Sequence, residues 1–131
     1  MRHAIAWLAV LFVAWPAAAR AAGVSGSKPI LCAVTEALEC AYEGECIRET
    51  PEGINLPPFI VVDPKAKTLS EYQGDRKSPV QTVLEKGAHI VLQGYEERAW
   101  SAAISKETGR LSVTATSPDA GFVVFGICTD L

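Results

Sequence analysis

The stretch that decides the fold is residues 99–116, AWSAAISKETGRLSVTAT. In its first half Trp100, Ala102 and Ile104 occupy every second position, with polar or small residues between them. Residues 110–116 repeat the alternation, with Leu, Val and Ala separated by Ser and Thr. Strict alternation of this kind is typical of a β-strand that buries one face and exposes the other. The stretch therefore predicts two neighbouring strands.

Similar apolar runs extend on both sides of this stretch. The seven runs are Phe59–Asp63, Thr68–Gln73, Val80–Glu85, His89–Gly94, Ala99–Ser105, Arg110–Thr116 and Phe122–Cys128. The turns between them are too short for crossover helices, which favours an antiparallel meander. We predict a mostly β protein of seven to eight strands. Closure into a small β-barrel would remove the sheet edges, and a two-sheet β-sandwich is the alternative.

The barrel prediction carries two further expectations. Trp100 is the largest residue on the predicted inner face. We expect the interior of the barrel to be filled by the protein's own side chains. Trp100 is then a packing residue rather than a ligand-stacking residue. The last run is apolar on both faces, which predicts a central strand or one covered by a helix.

The N-terminal part of the chain has a different pattern. Residues 22–28 predict a flexible leader. Pro29 suits the first turn of a helix, and Ile30, Val34 and Leu38 recur at every fourth position, so we predict a short helix over residues 29–39. Residues 45–50 predict an edge strand.

Residues 1–21 have the features of a secretory signal peptide. Arg2 supplies a positive charge, an apolar run of residues 4–15 follows, and Ala19 and Ala21 frame a small-residue cleavage site. The apolar run is shorter than the roughly 20 residues of a membrane-spanning helix. We therefore expect residues 22–131 to form one periplasmic or secreted domain without a membrane span after processing.

Composition excludes several classes of function. The 131 residues are 49% hydrophobic and 21% charged, which is typical of a globular domain. The net charge of -3 and the absence of a basic stretch argue against nucleic-acid binding. The chain contains no phosphate-binding loop, dinucleotide fingerprint or nucleophile-elbow sequence. We therefore expect no cofactor and no catalytic residues.

The four cysteines all follow the predicted cleavage site. An exported chain with an even number of cysteines predicts disulfides. We favour Cys40–Cys46 and Cys32–Cys128, and the rival pairing joins Cys46 to Cys128 and Cys32 to Cys40. Their spacing suits neither a zinc site nor a thiol oxidoreductase, so no metal site is expected.

Part of the chain resembles a known group of proteins. The features are Leu56-Pro57-Pro58-Phe59, the pair Cys40 and Cys46, and the string FVVFGICT at residues 122–129. With them, residues 32–129 resemble a family of small exported bacterial β-proteins with four cysteines, a resemblance that implies no activity. The general plan also resembles the disulfide-bonded periplasmic inhibitors of lysozyme. However, their Ser-Gly-x-x-Tyr signature is absent here.

Few residues suggest chemistry. His89 is the one histidine beyond the predicted signal peptide, and it lacks a second histidine or a nucleophile nearby in sequence. Six glutamates, Glu36, Glu39, Glu43, Glu45, Glu49 and Glu52, form an acidic cluster without calcium-loop spacing, which favours a solvated face. The predicted hairpin tip at residues 95–98 offers Tyr95, Glu97 and Arg98 as candidate binding residues, since binding residues often lie on loops.

These observations predict a non-enzymatic binding or structural module of the cell envelope. We expect it to contact another envelope protein through loops or a strand edge. The alternatives are a β-barrel carrier of a small apolar ligand and an inhibitor of a periplasmic enzyme. A cavity inside the barrel would favour the carrier.

Overall fold

The computed structural model describes residues 23–131, so the predicted signal peptide lies outside the described residues. Within these residues, ten strands and one short 3₁₀ helix, Glu52–Ile54, make up the regular structure. The strands are β1 Ile30–Ala41, β2 Cys46–Glu49, β3 Phe59–Asp63, β4 Thr68–Glu71, β5 Lys77–Pro79, β6 Thr82–Lys86, β7 His89–Tyr95, β8 Ala99–Ser105, β9 Arg110–Thr116 and β10 Ala120–Asp130. The prediction of a mostly β protein is confirmed.

All strands belong to one antiparallel sheet that curls into a half-barrel. The order along the sheet is β5-β4-β3-β1-β10-β9-β8-β7-β6, and β2 pairs with the second half of β1. Strands β6 to β10 form one antiparallel meander, and β3 to β5 form a second. The first strand lies between these two meanders and joins them into one sheet, not the two sheets of the alternative sandwich.

Residues 77–86 link the two edges of the sheet. Strand β5 pairs with β4, and β6 pairs with β7. Between them, the Val80 N–H donates to the Lys67 carbonyl at 2.9 Å and the Gln81 N–H donates to the Gln93 carbonyl at 3.0 Å. The segment therefore leaves one edge and joins the other. The sequence pattern predicted one strand here, Val80–Glu85, which corresponds to β6. Strand β5 was not predicted.

The helix predicted over residues 29–39 is wrong, because these residues lie in β1. A bulge at Thr35 lets Val34 pair with Gly126 while Glu36 pairs with Phe125. The bulge changes the inward positions from even to odd, from Ile30 and Cys32 before it to Ala37 after it. Because the buried face changes from even to odd positions within β1, the apolar residues of this strand show the four-residue spacing that is typical of a helix. Hydrogen bonds to strands on both sides then make β1 extended.

The prediction that residues 22–28 form a flexible leader is also wrong over residues 23–28. Val24 is only 3% exposed, and its N–H donates to the Lys106 carbonyl at 2.9 Å. The Ser25 N–H donates to the Asp130 carboxylate at 3.0 Å. A Cβ on Gly26 would lie 3.1 Å from Cδ1 of Ile90. This segment therefore covers one end of the half-barrel.

Both favoured disulfides are confirmed. Cys32–Cys128 joins the central strands β1 and β10, and both cysteines are buried. Cys40–Cys46 joins β1 to β2, and the two cysteines are six positions apart in sequence. The described residues contain no free cysteine.

The interior contains two clusters of buried residues. The closed end, as we call it, is built around Ile30, Cys32, Ile90, Leu92, Ile104 and Cys128, and Val24 belongs to it. The open end is built around Ala37, Ile54, Phe122 and Val124, with Leu56 packed against them. Trp100 and Val113 lie along the wall between them. The inward faces predicted for β7, β8 and β9 are those observed.

Candidate functional site: an apolar cavity in the half-barrel

A cavity of about 570 Å³ lies inside the half-barrel between the two clusters. Its walls are mostly apolar and its mouth is polar. The apolar lining includes Cys32, Val34, Ile54, Leu56, Pro57, Ile60, Val62, Leu69, Leu92, Trp100, Ala102, Leu111, Val113, Ala115, Phe122 and Val124. The expectation of a filled interior is therefore wrong.

Small residues on the inner face explain why space remains. Ala102 and Ala115 point inward from β8 and β9 and line the cavity. Trp100, which pairs with Ala115, is large and half-buried. Towards the closed end, Ile90 and Ile104 are completely buried. The interior is thus filled at one end and hollow at the other.

The indole of Trp100 lies against the backbone of β7 at Gly94. Trp100 pairs directly with Gly94, and a Cβ on that glycine would overlap the indole ring. The absence of a side chain at Gly94 allows the indole to approach the strand closely. Trp100 therefore both packs on the closed-end core and forms part of the cavity wall.

Two of the three candidate binding residues at the β7–β8 tip line the mouth. Glu97 and Arg98 do so, whereas Tyr95 is 65% exposed and is not among the lining residues. The backbone of Tyr95 is held by Gln81, whose Oε1 accepts its N–H at 2.8 Å. The tip is thereby tied to the residues that link β5 and β6.

Residues 50–58 form a strap across the open end. Ile54 is 5% exposed and anchors the strap, and Asn55 follows it with a φ of 60°. Two arginines hold the strap from different parts of the sheet. Arg98 donates from Nη1 to the Ile54 carbonyl at 3.0 Å, and Arg76 donates from Nη2 to the Asn55 carbonyl at 3.0 Å.

Arg98 also packs on the cavity wall. Its guanidinium carbon lies 4.0 Å from the centre of the Phe122 ring, a cation–π contact. The side chain is half-buried. Within residues 23–131, no carboxylate lies within 4.0 Å of it, since the two ion pairs there are Arg48–Glu36 and Lys106–Glu85. Arg98 is thus a cation at the mouth without a counterion among the described residues.

The carboxylates at the mouth have other surroundings. Glu96 accepts a hydrogen bond from the Ser78 hydroxyl and is exposed. Glu97 is exposed at the tip. Glu71 is half-buried, and its carboxyl group lies over the backbone of Gly74 in the adjacent turn.

The remaining candidates lie away from the cavity. His89 is exposed at the start of β7, where it pairs with Ser105 and Lys86. In the acidic cluster, Glu36 forms an ion pair with Arg48 at 2.6 Å. Residues 23–131 hold no group of three or more His, Cys, Asp or Glu side chains arranged to bind a metal.

One carboxyl group at the closed end has a shifted pKa. Hydrogen bonding from the Ser25 side chain, and then from its backbone N–H, lowers the pKa of Asp130 below its ordinary value. The contact holds residues 23–27 on the end of the sheet and lies outside the cavity.

Sequence reasoning missed the strap and the residues around Arg76. Leu56 and Pro57 entered only as part of the family resemblance, and residues 76–78 stood between two predicted runs. Their contribution depends on long-range contacts such as Arg76 to Asn55, which are 21 positions apart. No local pattern encodes that contact.

Compared with known proteins, the chain matches no family model, no curated protein and no solved structure at a significant level. The resemblance to small exported bacterial β-proteins therefore stays a prediction. In residues 23–131, no helix combines the length and the apolar character needed to cross a membrane.

Proposed function

We propose that the protein is a non-enzymatic carrier that holds a small apolar ligand inside the half-barrel. The observation that carries the proposal is the cavity of about 570 Å³ with its apolar walls. Sites for small molecules usually measure about 300 to 1,000 Å³ and combine apolar walls with a few polar groups. The cavity has this size and this distribution of polarity.

The location that we propose is the periplasm or the extracellular space. The sequence of residues 1–21 supports export, and the two disulfides suit an oxidising compartment. An apolar compound in an aqueous compartment gains from a carrier, because burial removes its surface from water. Both the predicted export and the apolar cavity therefore support a carrier of apolar compounds in an aqueous compartment.

The test is binding of a fluorescent apolar probe such as N-phenyl-1-naphthylamine to the purified, oxidised protein. We expect saturable binding with enhanced emission. Ala115→Phe should fill part of the cavity and weaken probe binding at least several-fold, because Ala115 lines the wall next to Trp100 and Phe122.

The matched control is Thr114→Phe, which adds a similar side chain at the neighbouring exposed position on β9. It should bind the probe like the wild type. Equal thermal unfolding midpoints would show that both variants fold. Absence of saturable binding to the wild type, or equal binding by Ala115→Phe and the wild type, would refute the carrier.

A second candidate function is contact with another envelope protein, which includes inhibition of a periplasmic enzyme. Its support is an apolar row on the outer face, where Ala33 pairs with Phe59 on one side and Ile127 on the other. Phe59 is 48% exposed, Ile127 is 40% exposed and nearby Phe125 is 41% exposed. Exposed apolar patches often mark protein interfaces.

The test of this second function is affinity capture from an envelope extract, followed by identification of any retained protein and reconstitution with it in pure form. Phe125→Glu should abolish a genuine complex and leave probe binding unchanged. A complex that survives Phe125→Glu would exclude the outer face.

A further inference from the structure

We propose that the ligand is a single-chain amphiphile with a carboxylate head, and that Arg98 binds that head at the mouth of the cavity. This inference rests on the proposed carrier function and names its ligand class. The juxtaposition that carries it is a half-buried, unpaired guanidinium on the rim of an apolar cavity.

Arg98 is held in place before any ligand arrives. One donor of Nη1 is directed to the Ile54 carbonyl, and the face of the guanidinium packs on the Phe122 ring. Both contacts orient the side chain, and neither neutralises its charge. The guanidinium has five donors in a planar fork, so further donors remain for an anion.

Because Arg98 is half-buried, the absence of a counterion among the described residues leaves its charge poorly compensated. A charge removed from water is costly unless an opposite charge or strong hydrogen bonds compensate it. Arg98 is half-buried, and no carboxylate within residues 23–131 lies within 4.0 Å of it. A ligand carboxylate would supply two parallel charge-assisted hydrogen bonds, the geometry that a guanidinium favours.

The other charges at the mouth do not favour a cationic head. Glu96 is occupied with the Ser78 hydroxyl, Glu71 lies over the Gly74 turn, and Glu97 is exposed to water. Arg76 and Lys77 also line the mouth and offset these acids. The three acids and three bases that line the mouth therefore balance, and Arg98 is the half-buried cation among them, without a carboxylate within 4.0 Å in residues 23–131.

The path inward from Arg98 suits an alkyl chain. Phe122 under the guanidinium and Trp100, which pair with Ala115 from either side, belong to the apolar wall, which continues to Leu92 and Leu111. A head group on Arg98 thus directs its tail towards the closed end. Each buried methylene adds roughly 0.8 kcal/mol, so affinity should rise with chain length until the cavity is full.

The experiment measures displacement of N-phenyl-1-naphthylamine by three ligands with twelve-carbon chains, each below its micelle concentration. They are dodecanoate, dodecanol and dodecyltrimethylammonium, which differ in the charge of the head, and dodecanol, which forms no micelles, is kept below its solubility limit. We expect dodecanoate to bind the wild type about tenfold or more tightly than dodecanol, the size of one charge-assisted hydrogen-bonded contact. Dodecyltrimethylammonium should bind more weakly than either.

Arg98→Gln should remove the preference for dodecanoate and leave the affinity for dodecanol within about twofold. Arg76→Gln is the matched control, because Arg76 also lies at the mouth and binds the strap but is exposed. It should keep most of the preference. Should Arg98→Gln fail to fold, Arg98→Lys retains the charge without the planar fork and should retain part of the preference.

A second measurement needs no variant. Protonation removes the charge of the ligand, so the affinity for dodecanoate should fall to that for dodecanol as the pH is lowered through the carboxylic acid's pKa. Equal affinities for dodecanoate and dodecanol at neutral pH, or a preference for dodecyltrimethylammonium, would overturn the role of Arg98 while leaving the carrier intact. Failure of the probe itself to bind would refute the carrier.

Discussion

The two ends of the half-barrel use the same β-strands in opposite ways. At the closed end, Ile30, Ile90 and Ile104 are each 0% exposed and pack against the Cys32–Cys128 disulfide. Towards the open end, β8 and β9 present Ala102 and Ala115, and a cavity remains between the two clusters. We infer that stability is concentrated at the closed end and that binding capacity is concentrated at the open end.

The comparison shows how a domain of this size can tolerate an empty interior. Deleting buried apolar atoms from a packed core is costly, partly because it leaves a cavity. Here the unfilled space coincides with small inward residues on β8 and β9. The long-range disulfide and the segment around Val24 reinforce the opposite end. The four predictions that follow test this division of roles.

The largest effect should come from the disulfides. Replacing both Cys32 and Cys128 by alanine removes a crosslink across 96 positions and should lower the free energy of unfolding by about 4 kcal/mol. Replacing both Cys40 and Cys46 opens a six-position loop and should cost about 2 kcal/mol. Urea unfolding of each double variant measures the difference. Equal losses in the free energy of unfolding would contradict the inference that stability is concentrated at the closed end.

The next effect should come from truncating core residues. Ile104→Ala should cost about 3 kcal/mol, because Ile104 is completely buried and its removal creates a cavity. Val113→Ala removes two methyl groups from a half-buried wall that already borders empty space, and should cost about 1 kcal/mol. Urea unfolding midpoints compare the two. A larger loss from Val113→Ala would reverse the assignment of stability.

A smaller effect is expected where β7 meets Trp100. Gly94→Ala places a methyl group where the indole lies and should destabilise the protein by about 2 kcal/mol through overpacking. Near-ultraviolet circular dichroism should show a changed tryptophan environment. Gly121→Ala is the control, since a Cβ there meets nothing within 4 Å, and its stability should change by no more than about 0.5 kcal/mol. A neutral Gly94→Ala would show that Trp100 moves freely.

The smallest effect concerns the cover of the closed end. The lowered pKa of Asp130 means that its contribution is present above the ordinary value of 3.8 and is lost as the pH falls through the folded-state pKa. Asp130→Asn should therefore be less stable than the wild type at pH 6, and the difference should shrink at pH 3. Urea titrations at both pH values measure it.

Asp119→Asn provides the control for this pH dependence, because the Asp119 side chain accepts no hydrogen bond within the described residues. It should leave the difference between pH 6 and pH 3 as in the wild type. A constant penalty for Asp130→Asn at both pH values would contradict the contact with Ser25.

The local sequence pattern was sufficient to predict many of the strands, but it predicted few of the residues that form the cavity and its mouth. The runs at Ala99–Ser105 and Arg110–Thr116 coincide with β8 and β9, because alternation depends only on which face of each strand is buried, and the apolar run Phe59–Asp63 coincides with β3. The tip at residues 95–98 was also recognised, and Glu97 and Arg98 do line the mouth. The role of the strap around Ile54 could not be predicted, because it depends on contacts between distant segments.

By itself the sequence determined the β class and the inner faces of β7 to β9, whereas the choice between the two cysteine pairings needed the structure. These properties follow from residue type and spacing along short segments. The tertiary structure decided that residues 30–41 form a bulged central strand, and that the interior holds a cavity. A strand at the centre of a sheet is stabilised by hydrogen bonds to both neighbours, and a cavity is the space that many side chains together leave unfilled. Neither is a property of any one segment.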